Sequence, residues 1–152
     1  MSILRCHLLI GPPASGKTSL SKILAPLLNA EVLSTDAIRE ELWGDEMIQG
    51  PWEEVENVLH QRLKSFVEKG QAVIIDATHS KRPWRLALTQ NIELKAKIEW
   101  IGWWCKTPKE VCLKWNQNRE RIIDEEIITQ YYAALENKNF HPCRDEGFAT
   151  II

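Results

Sequence analysis

The 152 residues read as one α/β domain, a five-stranded, mostly parallel sheet with helices on both faces. Three observations carry this reading. Strand-like apolar runs alternate with segments of helical spacing along the whole chain. The run Ala72-Val73-Ile74-Ile75 is apolar without alternation, as in a parallel strand buried on both faces. A glycine-rich turn over residues 11–18 separates the first strand from the first helix.

Residues 3–10 form the first expected strand, with Arg5 and His7 inside an otherwise apolar run. A helix follows, with Leu20, Ile23, Leu24, Leu27 and Leu28 at helical spacing. Residues 30–33 make a short second strand, 36–43 a short helix and 44–50 a loop. Pro51 opens a long helix with Trp52, Val55, Leu59, Leu63 and Phe66 on one stripe, closed by Gly70. Residues 72–76 are the third strand, 82–93 mainly helix with Pro83 in its first turn, and 97–105 the fourth strand. Thr107-Pro108-Lys109-Glu110 reads as a capping box that starts a helix to about Arg119. A helix over 124–137 and a last strand over 148–152 complete one domain, with no linker or repeat.

The net charge of −2 argues against a strongly basic nucleic-acid binder, while leaving room for a local basic groove. No signal peptide or membrane span is legible, so a cytoplasmic protein without a membrane partner is expected. Cys6, Cys105, Cys112 and Cys143 form no C-x-x-C pair and read as reduced thiols.

Gly11-Pro12-Pro13-Ala14-Ser15-Gly16-Lys17-Thr18 matches G-x-x-x-x-G-K-[ST], the phosphate-binding P-loop or Walker A motif. Its glycines let consecutive backbone N–H groups turn inward around a phosphate, at the positive end of the following helix. Gly11, Ala14, Ser15, Gly16, Lys17, Thr18 and Ser19 are therefore the expected nucleotide-binding residues. Lys17 is expected on the β- and γ-phosphates and the Thr18 hydroxyl on Mg²⁺.

Ligands of open parallel sheets bind outside the carboxyl ends of the strands. The second strand delivers Asp36, with Arg39 one helical turn on, and the third delivers Asp76, Thr78 and His79. Asp36 reads either as a helix cap or as the general base for a phosphoryl acceptor hydroxyl, and its place beside a phosphate loop favours the base. The Arg39 guanidinium suits a phosphate on the acceptor. Asp76 can hold Mg²⁺ or fix Arg39 by an ion pair, and the residues leave both readings open. Thr78 and His79 are candidates for acceptor contact. In Lys114-Trp115-Asn116-Gln117-Asn118-Arg119-Glu120-Arg121, Arg119 is preferred over Arg121 as a cation that neutralises charge on the transferring phosphate. Trp43, Trp52 and Trp84 are either packing residues or platforms for a base. Lys81, Arg82, Trp84 and Arg85 form the compact basic-aromatic cluster.

GPPASGKT, STDAIREELWGD, VIIDATHSKRPWR, CKTPKEVCLKWNQNRER, IIDEEIITQYYAALE and EGFATII resemble, in order, the P-loop kinase module of polynucleotide 5′-hydroxyl kinases, as found in bacterial RNA-repair enzymes. The resemblance covers nearly the whole chain and implies an AAA-type P-loop ATP-binding protein of nucleoside/polynucleotide-kinase-like fold, with strand order 2-3-1-4-5. It implies ATP·Mg²⁺ on Lys17 and Thr18, Asp36 as general base, Arg39 on the acceptor phosphate, Asp76 positioning Arg39, and Arg119 as the lid arginine. RNA or DNA 5′-hydroxyl ends are the implied acceptor. The alternatives are a small-molecule or tRNA-linked kinase of the same fold, and a non-kinase ATP-binding switch. An acceptor base favours the kinases over the switch.

Overall fold

The computed structural model describes residues 3–46, 48, 50–119, 122–138 and 141–152. Strands β1 (Leu4–Ile10), β2 (Ala30–Ser34), β3 (Ala72–Asp76), β4 (Ile98–Trp104) and β5 (Phe148–Ile151) form one sheet in the order β2-β3-β1-β4-β5. Every pairing is parallel, so the expected five-stranded sheet and its strand order both hold. Register places Leu9 opposite Asp76 and Ser34 opposite Asp76, which lines up the ends of three strands at one edge.

The helices are α1 (Lys17–Leu28), α2 (Thr35–Trp43), α3 (Trp52–Glu68), α4 (Arg82–Leu86), α5 (Lys109–Gln117) and α6 (Glu125–Glu136). The larger core lies on the α3 face of the sheet. There Cys6, Leu8 and Ile10 of β1 meet Val55, Leu59, Leu63 and Val67 of α3, the latter spaced four residues apart. On the other face the alternate side chain Leu9 joins Ile74 and Leu24 of α1. That second core is small, and α1 covers it with one narrow stripe. Ile23 and Leu27, expected to be part of the packed stripe, are 61% and 76% exposed.

The segment expected to be helical over 82–93 is split. After α4 the chain makes a π-helical turn, Ala87–Asn91. The Thr89 hydroxyl lies 2.6 Å from the Glu146 carbonyl oxygen and 3.1 Å from that of Arg85, tying the turn to the segment before β5. A hydroxyl reaching into the helical ladder is a physical cause for widening it. The capping box at Thr107 does not form either. Pro108 is the N-cap of α5 without a side-chain bond, and Thr107 Oγ1 donates to the Ser15 carbonyl at 2.7 Å. No helix among the described residues is long and apolar enough to cross a membrane.

Candidate active site

A cavity of about 880 Å³ opens at the carboxyl edge of the sheet. Its phosphate side is the turn between β1 and α1. Gly16 has φ of +98° and Ala14 of +63°, left-handed conformations that turn successive N–H groups to one side. Gly11 is required for a different reason. A Cβ there would stand 2.5 Å from Ser15 Oγ, and its N–H donates to the Thr78 carbonyl at 3.0 Å. Gly11 and Ser15 thus shape the loop from beneath, while Ala14, Gly16, Lys17, Thr18 and Ser19 line the cavity.

Lys17 is buried and its Nζ donates to the Pro12 carbonyl at 2.8 Å, folded back over the loop. Burial pushes its pKa down, while Asp76 and, less strongly, Asp36 pull it up. Thr18 Oγ1 donates to Asp76 Oδ2 at 2.9 Å. Burial raises the Asp76 pKa against the opposing pull of Lys17 and that hydrogen bond. The hydroxyl and carboxylate are hard oxygen donors meeting beside a buried ammonium, a set that fits Mg²⁺ arriving with its phosphates.

The opposite side of the cavity takes residues from several elements. Ser34 caps α2, its Oγ accepting from the Ala37 N–H at 3.2 Å, so Asp36 is not the cap. Asp36 lies in the first turn of α2 and reaches the cavity, its side chain 44% exposed. Arg39 Nη1 donates to Asp36 Oδ1 at 3.2 Å. Of the two readings of Asp76, the geometry pairs it with Thr18, while Arg39 takes Asp36. The Arg39 side chain is 14% exposed and lies 5.8 Å from the Trp52 ring centre. Its Nε–H is buried with no hydrogen-bond partner among the described residues. A cation so placed is suited to an incoming anion.

Thr78 and His79 border the cavity as expected. The His79 ring is turned back under the loop, however, with Nδ1 2.7 Å from the Leu9 carbonyl oxygen. That partner requires the proton on Nδ1. Burial drops the His79 pKa to about 4, so the ring is neutral at ordinary pH. Its backbone φ is +47° and its carbonyl accepts from Arg85 Nη1 at 2.8 Å. Arg85 is fully buried in a two-bond pair with Glu146, Nε to Oε1 and Nη2 to Oε2 both at 2.8 Å. Arg85 therefore supports the loop from inside and is no part of an open anion site. Within the basic-aromatic cluster, Lys81 and Trp84 reach the cavity.

Arg119 lines the cavity beyond the end of α5. Asn116 holds the following turn by bonds to both the N–H and the carbonyl of Ile123. Arg121 lies outside the described residues. Trp52 and Trp84 line the cavity, whereas Trp43 packs against the core. Two contributors were not singled out as site residues from the sequence. Trp115, 47% exposed, faces the loop so closely that a Cβ on Gly16 would meet its ring at 3.6 Å. Thr107 braces Ser15. The sequence signals were membership of the Lys114–Arg121 cluster for Trp115 and, for Thr107, an apparent cap and a place at the carboxyl end of the fourth strand.

No curated protein matches by sequence. Solved structures do match in fold. A gluconokinase from Sinorhizobium meliloti is 16% identical with a TM-score of 0.61, over 90% of this chain and 78% of that one. A chain of the Pnkp1/Rnl/Hen1 RNA repair complex is 18% identical with a TM-score of 0.77, over 90% of this chain and 45% of that one. A fungal RNA kinase is 14% identical with a TM-score of 0.65, over 100% of this chain and 38% of that one. The chain thus spans less than half the length of these two RNA-associated proteins. The fold is P-loop kinase-like, shared with both RNA kinases and small-molecule kinases. Residues 6–137 match the family model described as the AAA domain, AAA_33, and the chain belongs to that family.

Proposed function

We propose that the protein transfers the γ-phosphate of ATP to a hydroxyl acceptor, the 5′-hydroxyl of a polynucleotide, with Asp36 as general base. The observation that carries this is the joint presence of Asp36 and the P-loop in one cavity, Asp36 being oriented by Arg39 and relieved of capping by Ser34. A nucleotide switch has no use for a carboxylate so placed.

Bound Mg²⁺ supplies charge neutralisation across the phosphates. Thr18 and Asp76 are the residues that would hold it. Lys17 leaves the Pro12 carbonyl for the phosphates, and the loop N–H groups hold their oxygens. Asp36 accepts the acceptor's hydroxyl proton as the oxygen bonds to the γ-phosphorus, the bond from that phosphorus to the bridging oxygen breaks and ADP leaves, and Arg39 takes an acceptor phosphate. Arg119 faces the same cavity and neutralises charge on the transferring group.

The RNA repair and fungal RNA kinase structures support a polynucleotide acceptor. The gluconokinase, a shikimate kinase from Acinetobacter baumannii and the net charge of −2 favour a second reading, a small-molecule acceptor. The test is γ-labelled ATP with Mg²⁺ and 5′-hydroxyl RNA, DNA, gluconate or shikimate, with Asp36→Asn and Lys17→Ala as controls. Label on a strand, absent in both controls, is expected. Label on gluconate or shikimate alone overturns the polynucleotide acceptor.

A further inference from the structure

Beyond the reacting atoms, one wall of the cavity is a row of two adjacent indole rings with a cation at each end. Arg39 lies 5.8 Å from the Trp52 ring centre. Trp52 and Trp84 are tilted by 37° with centres 6.0 Å apart. Lys81 Nζ lies 5.0 Å from the Trp84 ring centre. The row joins three elements, since Arg39 is on α2, Trp52 starts α3, and Trp84 with Lys81 stands at the start of α4.

Trp52 also packs against the larger core, but core packing alone does not account for the row. The core tryptophan of the sheet, Trp100, is 3% exposed, whereas Trp52 and Trp84 are partly exposed, line the cavity and have charged neighbours. The Trp52 indole N–H donates to Glu56 Oε2 at 3.0 Å, which fixes the ring. At 6.0 Å the two rings touch each other and leave no slot for a third between them. A ligand ring therefore stacks on an outer face. The wall offers flat faces and positive charge, a combination suited to a nucleobase and its phosphates.

We infer that Trp52 and Trp84, with Arg39 and Lys81 resting over their faces, form the subsite for the terminal nucleotide of the acceptor, whose unpaired base takes a ring face while the displaced cation takes the adjacent phosphate. Lys81 is the mobile partner, because it is exposed on a flexible stem. Stacking on faces is tolerant of base identity and stronger for the larger purines. The inference rests on reading the Asp36 side of the cavity as the acceptor side.

The test is calorimetric binding of adenosine 3′-phosphate and of its abasic analogue, 1-deoxyribose 3-phosphate. Saturating ADP and Mg²⁺ fill the P-loop so that adenine is not read there. Trp84→Ala is expected to weaken adenosine 3′-phosphate by about tenfold, Trp84→Phe by less than about threefold, and neither to change the abasic ligand. Lys81→Gln is expected to weaken both phosphorylated ligands and to spare unphosphorylated adenosine. No saturable binding to the wild-type protein, an unchanged affinity in Trp84→Ala, or an equal loss for both ligands overturns the subsite. Phosphate transfer to the same ligands is followed in parallel. Ring-dependent binding without transfer removes the kinase reading and keeps the subsite. Transfer indifferent to Trp84 removes the subsite and keeps the kinase.

Discussion

The phosphate side of the cavity comes from one unbroken stretch, residues 11–19, whereas the side proposed to take the acceptor is gathered from α2, α3, α4 and the end of β3. The first takes its shape from a short run, with Gly16 and Ala14 in left-handed conformations, and is braced from outside at only a few points, by the Thr78 carbonyl, the Thr107 hydroxyl and the His79 ring. The second exists only when distant segments pack. On the proposed reading, phosphate binding is expected to survive damage that disables acceptor binding, and changes remote from the cavity are expected to act more on the acceptor than on ATP.

Glu146→Gln breaks the acceptor side from a distance. It removes the carboxylate charge that pairs with Arg85, which is fully buried under the His79 carbonyl. Urea unfolding is expected to show a loss of about 3–5 kcal/mol. The Michaelis constant for the acceptor is expected to rise more than that for ATP. Equal effects on both would abolish the distinction between the two sides.

His79 sharpens the same comparison through pH. The unfolded ring takes a proton near 6.5, the folded one only near about 4. Between these values the unfolded state binds more protons, so stability falls as pH falls through that window. His79→Gln is expected to reduce this fall by up to about 3 kcal/mol between pH 6.5 and 4, measured by unfolding at a series of pH values. A slope identical to that of the wild type would place the titration elsewhere.

Ser34→Ala is expected to cost about 1 kcal/mol of stability through the lost α2 cap. If Asp36 swings in to cap the helix instead, transfer falls further than stability does. At the small end, Leu27→Gln on the exposed flank of α1 is expected to change stability by no more than about 0.5 kcal/mol in thermal unfolding. A larger loss would show that this flank is covered.

The contrast between the two sides also sets what was legible in the sequence. The P-loop, the apolar β3 and the Asp36–Arg39 turn depend on short spacings, and the chain displays them directly. Thr89 widens its helix because of an acceptor 57 residues away, and Arg85 is buried because of Glu146, 61 residues away. Neither distance leaves a local pattern. Thr107 looked like a cap because its neighbours suit one, yet the Ser15 carbonyl claims its hydroxyl. Ile23 and Leu27 match helical spacing, but the sheet face beneath α1 is too small to bury them. Trp52 and Trp84 stand 32 positions apart in sequence and meet only after α3 and α4 pack.

The most direct test compares Asp36→Asn with Lys17→Ala in two assays on the same samples, ATP·Mg²⁺ affinity and single-turnover phosphate transfer to a 5′-hydroxyl strand. Asp36→Asn is expected to bind ATP within about twofold of the wild type while transfer falls by about 10²–10⁴. Lys17→Ala is expected to lose both. Transfer surviving in Asp36→Asn, or ATP affinity collapsing with it, would contradict the assignment of Asp36 to an acceptor side separate from the P-loop.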